Sequence, residues 1–535
     1  MDRVLGAGPF REVGRPLVVD HGPGSGLVVI GGELPQPRWP GRDLSGPERH
    51  GGHRYPLAVF RADDLRCVHL LYTAWPANAI ARHPVLPLAV VGTGVYDGGF
   101  FYKGELLLLN LTTGAVVSLL DGREIREVSW RDPRTLDLVV SITCDNDYGT
   151  HGSKSLTCAI RRDDWDRATV GMIEVPSLAY PVADKPRDSS AAMAAAADEV
   201  QRIARDGGLS WTPRCAVWAA EGLTDGRILA ALEGVALECW SSASGEPQWR
   251  LTADATGHQI KVFPDERTAL ALAQPPNRFD GWAWTTEADL DTGAVRRIRR
   301  PPFPAVMMSR ADGAWALRDV EPDVLHSPKG DPHPTRLYRP DGELAATAAL
   351  DRYDPTSDFF DIRNAPDLLF LNGVGQHRQV VTVDVPEGRV RPLFPYDWDR
   401  TRDAQLTGGC GAYLKDRSGA AIVHTGQIRD GAGSPGTAFV VRRAYPSGAV
   451  QWVLTAGGRA TALDIADDLV LVAFDCGELV MLDAADGSLR ARQELRVGGH
   501  LVVPLSLARI GPGRIAIGTL DGLILDCSVV AENAA

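Results

Sequence analysis

The chain has 535 residues, 44% of them hydrophobic and 23% charged, with 56 Gly and 37 Pro. This composition excludes a disordered chain, because it supplies enough apolar residues for a core, and it excludes a coiled coil, because Gly and Pro interrupt almost every segment. The 56 Lys and Arg against 68 Asp and Glu leave a net charge of −12, which argues against nucleic acid as the main partner.

The first residues of the chain carry no export signal that we recognise. Residues 1–9 lack the basic segment and apolar core of a secretory signal, and no later run approaches the ~18 apolar residues of a membrane span. Most basic residues are Arg, a bias typical of a GC-rich bacterial genome. The eight cysteines are scattered without a C-x-x-C pair and are best interpreted as small core hydrophobes. We therefore expect a bacterial protein of the cytoplasm, without disulfides and without a membrane partner.

A strand, a Gly turn and a second strand recur along the chain, and self-similarity of this kind indicates a repeat architecture. Successive turn glycines from Gly245 to Gly487 are 39 to 60 residues apart, around the ~40–50 residues of a four-stranded propeller blade. With weaker turns nearer the N-terminus, the sequence predicts about seven to ten units. The clearest examples lie at 106–117, 288–295, 341–344, 386–390, 446–450 and 469–487.

The last unit, at 514–525, runs out of chain before it can form an outer strand. A sheet left with an open edge is prone to unwanted pairing, and ring closure by a distant strand removes that edge. We expect the N-terminal segment around 16–19 to supply the missing strand and so to close a ring.

Two of the repeated turns carry a tryptophan at the same place. Residues 244–249 read Ser-Gly-Glu-Pro-Gln-Trp and residues 447–452 read Ser-Gly-Ala-Val-Gln-Trp. Together with the repeated turns, they resemble the WD40 and quinoprotein-like (PQQ-like repeat) β-propeller superfamily, in which such a Trp packs between neighbouring blades. The resemblance covers nearly the whole chain. It implies an all-β propeller of four-stranded blades over residues 1–535, either as a single large ring, which we favour, or as two rings in one chain.

Several connections between predicted strands are much longer than the others. All of the long ones are expected to join the second strand of a unit to the third, so they would emerge on one face of a propeller, and loops on a rigid scaffold are where function concentrates. They fall at roughly 31–54, 93–104, 145–155, 274–281, 318–335 and 425–436.

One stretch of the chain is strongly helix-forming. The Ala-rich residues 191–206 follow Ser189-Ser190, which offers a cap, and precede Gly207-Gly208, which offers a stop. The sequence therefore predicts a helical insertion between blades at 189–208. Its apolar residues fall at helical spacing, so it either covers the edge of a blade or docks a partner.

The candidate functional residues lie in the long connections. The four aromatics of 96–102 are either packed under their loop or exposed as an interface anchor. The Asp and Asn at 145–147 offer oxygen ligands to a cation, but a turn in which they bond their own backbone is favoured, and two histidines without a third ligand do not indicate zinc. No metal site is predicted. The candidate partner-binding residues are Tyr96, Asp97, Phe100, Tyr102, Asp145, Asn146, Asp147, Tyr148, His151, His326 and His333.

Signatures of known enzymes are missing from the sequence. It holds no P-loop, no G-x-S-x-G and no H-E-x-x-H motif. Quinone-dependent dehydrogenases, which the resemblance raises, carry adjacent cysteines, and this chain has none, so no cofactor is predicted. We predict a non-catalytic scaffold, a subunit of a bacterial multi-protein system, that binds a protein partner through the face of the long connections. The alternatives are a hydrolase or lyase with its site at the mouth of the propeller, assembled from several blades without a linear motif, and a small-ligand sensor.

Overall fold

The structure is a computed structural model in which antiparallel strands predominate, so the all-β prediction is confirmed. The chain divides into a larger unit, made of Met1–Gly6, Pro37–Glu48 and Cys215–Ala535, and a smaller unit, made of Ala7–Gln36 and Arg49–Arg214. The first strand, β1 (Arg3–Leu5), belongs to the larger unit. The structure describes residues 1–22, 26–35, 54–96, 102–142, 154–173, 189–241, 243–274, 283–300, 305–319, 334–351, 360–373, 378–396, 404–430 and 437–529.

The described part of the smaller unit holds three larger antiparallel sheets, a two-stranded hairpin and one α-helix. The first sheet consists of β2 (Arg15–Asp20), β3 (Leu27–Glu33), β4 (Tyr55–Arg61) and β5 (Cys67–Thr73). The second sheet consists of β6 (Ala77–Arg82), β7 (Leu88–Thr93), β10 (Glu105–Asn110) and β11 (Val116–Asp121), and a small hairpin, β8 (Val95–Tyr96) and β9 (Tyr102–Lys103), is inserted between β7 and β10. The third sheet consists of β12 (Ile125–Asp132), β13 (Thr135–Ile142) and β14 (Lys154–Arg161).

The helix α1 (Ser189–Asp206) occupies the segment where the sequence predicts one. Its stripe of Val200, Ile203 and Ala204 is buried against apolar residues of the first sheet such as Phe60. The opposite face is charged, with Arg202 paired to Glu199 and Asp206. The apolar stripe therefore packs against the first sheet, which agrees with the predicted role of covering an edge rather than docking a partner.

The strands of the larger unit follow one another in chain order. They are β15 (Val217–Gly222), β16 (Ile228–Trp240), β17 (Pro247–Val262), β18 (Thr268–Gln274), β19 (Trp284–Asp289), β20 (Val295–Arg299), β21 (Ala305–Ser309), β22 (Trp315–Asp319), β23 (Thr335–Tyr338), β24 (Leu344–Ala348), β25 (Phe360–Arg363), β26 (Leu368–Asn372), β27 (Gln379–Val383), β28 (Val390–Pro395), β29 (Ala404–Asp416), β30 (Gly419–Asp430), β31 (Thr437–Ala444), β32 (Val450–Ala456), β33 (Ala460–Ala466), β34 (Leu469–Phe474), β35 (Glu478–Asp483), β36 (Leu489–Glu494), β37 (Arg496–Val497), β38 (His500–Leu501), β39 (Pro504–Gly511), β40 (Arg514–Thr519) and β41 (Ile524–Ser528).

Two of these long strands, β16 and β17, each contribute two strands to the repeat. β16 turns back on itself at Gly234, which has a positive φ of 75°, so that Ile228 and Trp240 lie in one apolar cluster. β17 pairs with β16 through its first half and with β18 through its second half. Counted in this way, the described part of the larger unit holds seven consecutive groups of four strands, at 217–252, 256–299, 305–348, 360–395, 404–456, 460–494 and 504–528 with β1. In the fourth group, β26–β28 form a three-stranded sheet, while β25 is hydrogen-bonded to β29 of the next group.

The first strands of successive groups contact one another. β25 pairs with β29 in parallel, and contacts link β21 to β25, β29 to β33, β33 to β39 and β39 to β15. Between the second and third groups, the Gln259 side chain exchanges two hydrogen bonds with the backbone of Met307, at 2.9 and 2.8 Å. Contacts between first strands therefore link the third group through to the seventh, and the seventh to the first.

The outer strand of the last group comes from the N-terminus. Arg3, Val4 and Leu5 of β1 pair with β41 in antiparallel register, and Leu5 is buried. The expectation that residues 16–19 supply this strand is wrong. Those residues lie in β2, which pairs with β3 in the smaller unit. The donor is only three residues long and therefore leaves no alternating pattern in the sequence.

The repeated Gly turns join the third and fourth strands and receive a side chain from the preceding group. At Gly293, with φ of 70°, an added Cβ would lie 2.7 Å from the ring of Trp249, and at Gly487, with φ of 73°, it would lie 2.7 Å from the ring of Trp452. The indole N–H of Trp452 donates to the carbonyl of Ala484 at 3.1 Å. These glycines combine a left-handed backbone with close packing, which excludes any side chain.

The six long connections that the sequence singles out share one topological position. Each of them joins the second strand of a sheet or group to the third, whereas other long connections, such as that between β24 and β25, join one group to the next. The strands that they join are β3 and β4, β7 and β10, β13 and β14, β18 and β19, β22 and β23, and β30 and β31. Among the residues that the structure describes, no helix has the length and apolar character needed to cross a bilayer.

Candidate functional site

Two of the predicted site residues are described, and they face each other on the hairpin β8–β9. Tyr96 pairs with Tyr102 across the hairpin, and their ring centroids lie 5.1 Å apart with the planes at 45°. Tyr96 is 42% exposed. The hairpin therefore presents a tyrosine to solvent beside a second aromatic ring. The remaining predicted residues lie outside the described part of the chain: Asp97, Phe100, Asp145, Asn146, Asp147, Tyr148, His151, His326 and His333.

The base of this hairpin is fixed by backbone contacts. The N–H of Gly94 donates to the carbonyl of Pro76 at 2.9 Å, and the N–H of Arg123 donates to the carbonyl of Gly104 at 3.1 Å. An added Cβ at Gly104 would lie 2.2 Å from the carbonyl oxygen of Thr93. Because the two ends of the insertion are held this closely by the second sheet and by residues that follow it, the hairpin has a defined position.

A buried polar pair lies beside the hairpin base. The Ser141 hydroxyl donates to the carboxylate of Glu124 at 2.6 Å, and the Ser141 N–H donates to the Glu124 carbonyl at 3.0 Å. Glu124 is 8% exposed and Ser141 is 1% exposed. Ser141 is the penultimate residue of β13, so the connection from β13 to β14 starts next to this pair. The roots of two predicted partner-binding connections thus lie together.

Further polar groups line the same end of the second sheet. The Ser118 hydroxyl donates to the Glu105 carboxylate at 3.0 Å, and burial raises the pKa of Glu105 above its ordinary value. The Glu105 N–H donates to the hydroxyl of the buried Thr93 at 3.0 Å. The Asn78 amide donates to the carbonyl of Gly94 at 3.0 Å. Burial of so many satisfied polar groups rigidifies this end of the unit.

Sequence reasoning did not single out Glu124, Ser141, Glu105 or Asn78. The available signal was a polar residue at or next to the end of an otherwise apolar strand, as with Ser141 after Leu138-Val139-Val140. That pattern is common at strand ends and does not identify a partner.

A second charged cluster lies within the larger unit. The Arg363 guanidinium at the end of β25 lies 2.8 Å from the Glu221 carboxylate of β15 and 3.2 Å from the Asp464 carboxylate of β33. It also donates to the carbonyl of Ala220 at 3.2 Å. The three strands belong to groups that do not follow one another in the chain. One arginine therefore ties together three separate parts of this unit.

The described residues include no group of three or more His, Cys, Asp or Glu side chains arranged to hold a metal ion. In chemical terms, the described residues form a rigid polar base that carries one exposed tyrosine, Tyr96, beside the half-buried Tyr102. Searches against protein-family models and against curated proteins give no match to this chain.

Proposed function

We propose that the larger unit is a closed β-propeller of seven four-stranded blades, with β1 as the outer strand of the last blade. The support is the seven groups of strands, the contacts between their first strands, and the contact of β15 with β39. The division of the chain into two compact units favours this arrangement over a single ring of about ten blades.

We also propose membership of the WD40 and quinoprotein-like superfamily for this unit. The support is the packing of Trp249 on Gly293 and of Trp452 on Gly487, since each tryptophan contacts the turn of the following group. The same contact recurs with other side chains at other turns, with Phe394 against Gly448 and Leu5 against Gly245. The contact between a Gly turn and a side chain of the preceding group is therefore a feature of the repeat, whether or not that side chain is a tryptophan.

The function that the geometry supports best is a non-catalytic interaction platform that binds a protein partner. The observation that carries it is Tyr96, 42% exposed on a hairpin whose base is fixed by Gly94 and Gly104. An amphipathic aromatic side chain held in position by a rigid support loses little conformational entropy on binding, and tyrosine is enriched among the residues that dominate interfaces. The proposed setting is a multi-protein system of the bacterial cytoplasm.

Affinity capture of the full-length protein from its native host tests the proposal. A partner should be recovered in stoichiometric amount by the wild type, and its Kd, measured by calorimetry, should rise about tenfold or more in Tyr96→Ala. Replacement of residues 95–103 by a Gly-Gly turn should abolish recovery. Leu344→Ala is the matched control, because Leu344 is 55% exposed but lies on an outer strand of the larger unit. Unchanged recovery with the shortened hairpin would overturn the proposal.

A further inference from the structure

The segment between the second and third sheets of the smaller unit lies against the strand ends from which both candidate connections start. Residues 123–125, the end of the connection from β11 to β12 and the first residue of β12, lie against the root of the hairpin β8–β9 on one side and against the end of β13 on the other. On the hairpin side, an added Cβ at Gly94 would lie 2.6 Å from the Cα of Glu124, and the N–H of Arg123 donates to the Gly104 carbonyl at 3.1 Å.

On the β13 side, the same segment is bound to Ser141. The Ser141 hydroxyl and N–H both donate to Glu124, at 2.6 Å to its carboxylate and at 3.0 Å to its carbonyl. Asn78 adds a second bridge, because its amide donates to the carbonyl of Gly94 at 3.0 Å and to the carbonyl of Ile125 at 3.2 Å. Glu124, Ser141 and Ile125 are buried, so these bonds are shielded from competition by water.

We propose that residues 123–125 act as a clamp that couples the hairpin β8–β9 to the ends of β13 and β14, so that both segments present one continuous binding surface. Glu124 is the positioning residue. The hydroxyl of Ser141 holds its carboxylate while its backbone packs on Gly94, so a shift at either segment displaces the other. The inference rests on the proposed function for its biological meaning, but the coupling itself is a property of the isolated protein.

The consequence for binding is that one partner contacts both segments together. Two weak contacts held at a fixed separation act as a single interface, because the geometry between them is set before the partner arrives. A partner that engages the hairpin is therefore expected to be sensitive to changes at Ser141, although the hydroxyl of Ser141 is buried and cannot contact the partner.

Hydrogen exchange of the isolated full-length protein tests the clamp. Ser141→Ala and Glu124→Ala should speed exchange of the hydrogen-bonded amides of the hairpin β8–β9 about tenfold or more, the size expected when a hydrogen bond to a charged group is lost. Glu124→Gln should restore slow exchange, because the Gln amide oxygen still accepts from Ser141. Ser118→Ala is the matched control: it removes a hydroxyl–carboxylate bond of 3.0 Å that lies wholly inside the second sheet, and it should leave the exchange of the same hairpin amides unchanged.

An increase confined to β12–β14 in Ser141→Ala would overturn the clamp, as would an equal increase throughout the smaller unit including β2–β5. If Ser141→Ala does not fold, Asn78→Ala provides the same test from a partly exposed position. Asn78→Ala must speed hydrogen exchange both in the hairpin β8–β9 and at the ends of β13 and β14. Faster exchange in only one of these segments counts against coupling. These outcomes are independent of whether Tyr96→Ala weakens a partner, so failure of the clamp and failure of the proposed function can be told apart.

Discussion

At the scale of single residues, the buried guanidinium of Arg442 shows how this fold accommodates charge in its interior. Arg442 has no exposed side-chain surface, and its donors reach the Gln451 amide at 2.6 Å, the Ser418 hydroxyl at 2.5 Å and the Ala484 carbonyl. Asp416 supplies the balancing charge at 2.8 Å. A buried cation is tolerated only when it is both paired and hydrogen-bonded, and this one is.

We expect Asp416→Asn to lower the free energy of unfolding by about 2 kcal/mol at pH 7, because it leaves the charge of Arg442 without its counterion. The hydrogen bond from Arg442 holds the pKa of Asp416 at about 2, below its ordinary value of 3.8. The stabilisation is therefore complete above about pH 4 and is lost as the pH falls from about 4 toward 2. Urea unfolding of wild type and variant between pH 7 and pH 2.5 measures the difference.

The difference between wild type and Asp416→Asn should shrink over that acidic window. A gap that stays constant from pH 7 to pH 2.5 would show that the charge of Asp416 contributes nothing. Glu494→Gln is the control, because Glu494 pairs with Arg496 on the surface, where both side chains are more than half exposed. Exposed pairs of this kind contribute about 0–1 kcal/mol, so this variant should unfold like the wild type.

At the scale of elements, the Gly turn between the third and fourth strands is the most regular feature of the repeat. Gly487→Ala should destabilise the larger unit by about 2–4 kcal/mol, because the methyl group meets the Trp452 ring and the residue must also keep a positive φ. Gly234 has nearly the same φ, 75°, but a Cβ added there would have no atom within 4 Å. Gly234→Ala therefore measures the backbone cost alone, about 1–2 kcal/mol. Denaturant unfolding followed by tryptophan fluorescence gives both values, and equal losses would contradict the packing argument.

The same turns explain why much of the fold could be predicted from the sequence. A glycine that has a left-handed backbone and a close neighbour cannot be replaced, so Gly293 and Gly487 identify their turns in the sequence. The strands on either side can then be predicted from the alternation of apolar and polar residues. β1 could not be predicted in the same way, because three residues are too few for a periodic pattern. Its partner, β41, lies more than 500 residues away in the chain.

The candidate site was predictable only in its exposed part. Tyr96 and Tyr102 stand out because aromatic residues are dense in their connection, and the structure pairs them across a hairpin. Glu124 and Ser141 are buried polar residues 17 positions apart. Their association depends on the pairing of whole strands and on the packing of the second sheet against the third, which no linear motif encodes.

At the scale of the larger unit, Arg363 links β25 to β15 and to β33. We expect Arg363→Met to lower the free energy of unfolding by about 3 kcal/mol, because it leaves the 7% exposed carboxylate of Asp464 and that of Glu221 without their cation. Arg363→Lys should recover part of this loss, since it keeps the charge but not the forked geometry. Chemical denaturation of the three proteins tests this order, and an unaltered midpoint for Arg363→Met would show that the cluster is not stabilising.

The chain order of the two units leads to the last prediction. Residues 7–214, which comprise the smaller unit and the Pro37–Glu48 segment of the larger unit, lie between β1 and β15. Leu5 and Val217 nevertheless share one apolar cluster within the larger unit, so a short Gly-Ser linker can join Gly6 to Cys215. The shortened protein should fold cooperatively. Removal of residues 1–6 from it should cost about 2–4 kcal/mol, through loss of Leu5 burial and of the β41 pairing, and should promote association through the exposed edge of β41. Denaturant unfolding and light scattering measure both effects. Identical midpoints with and without residues 1–6 would show that β1 does not close the larger unit, and aggregation of the linked protein would show that this unit depends on the inserted residues.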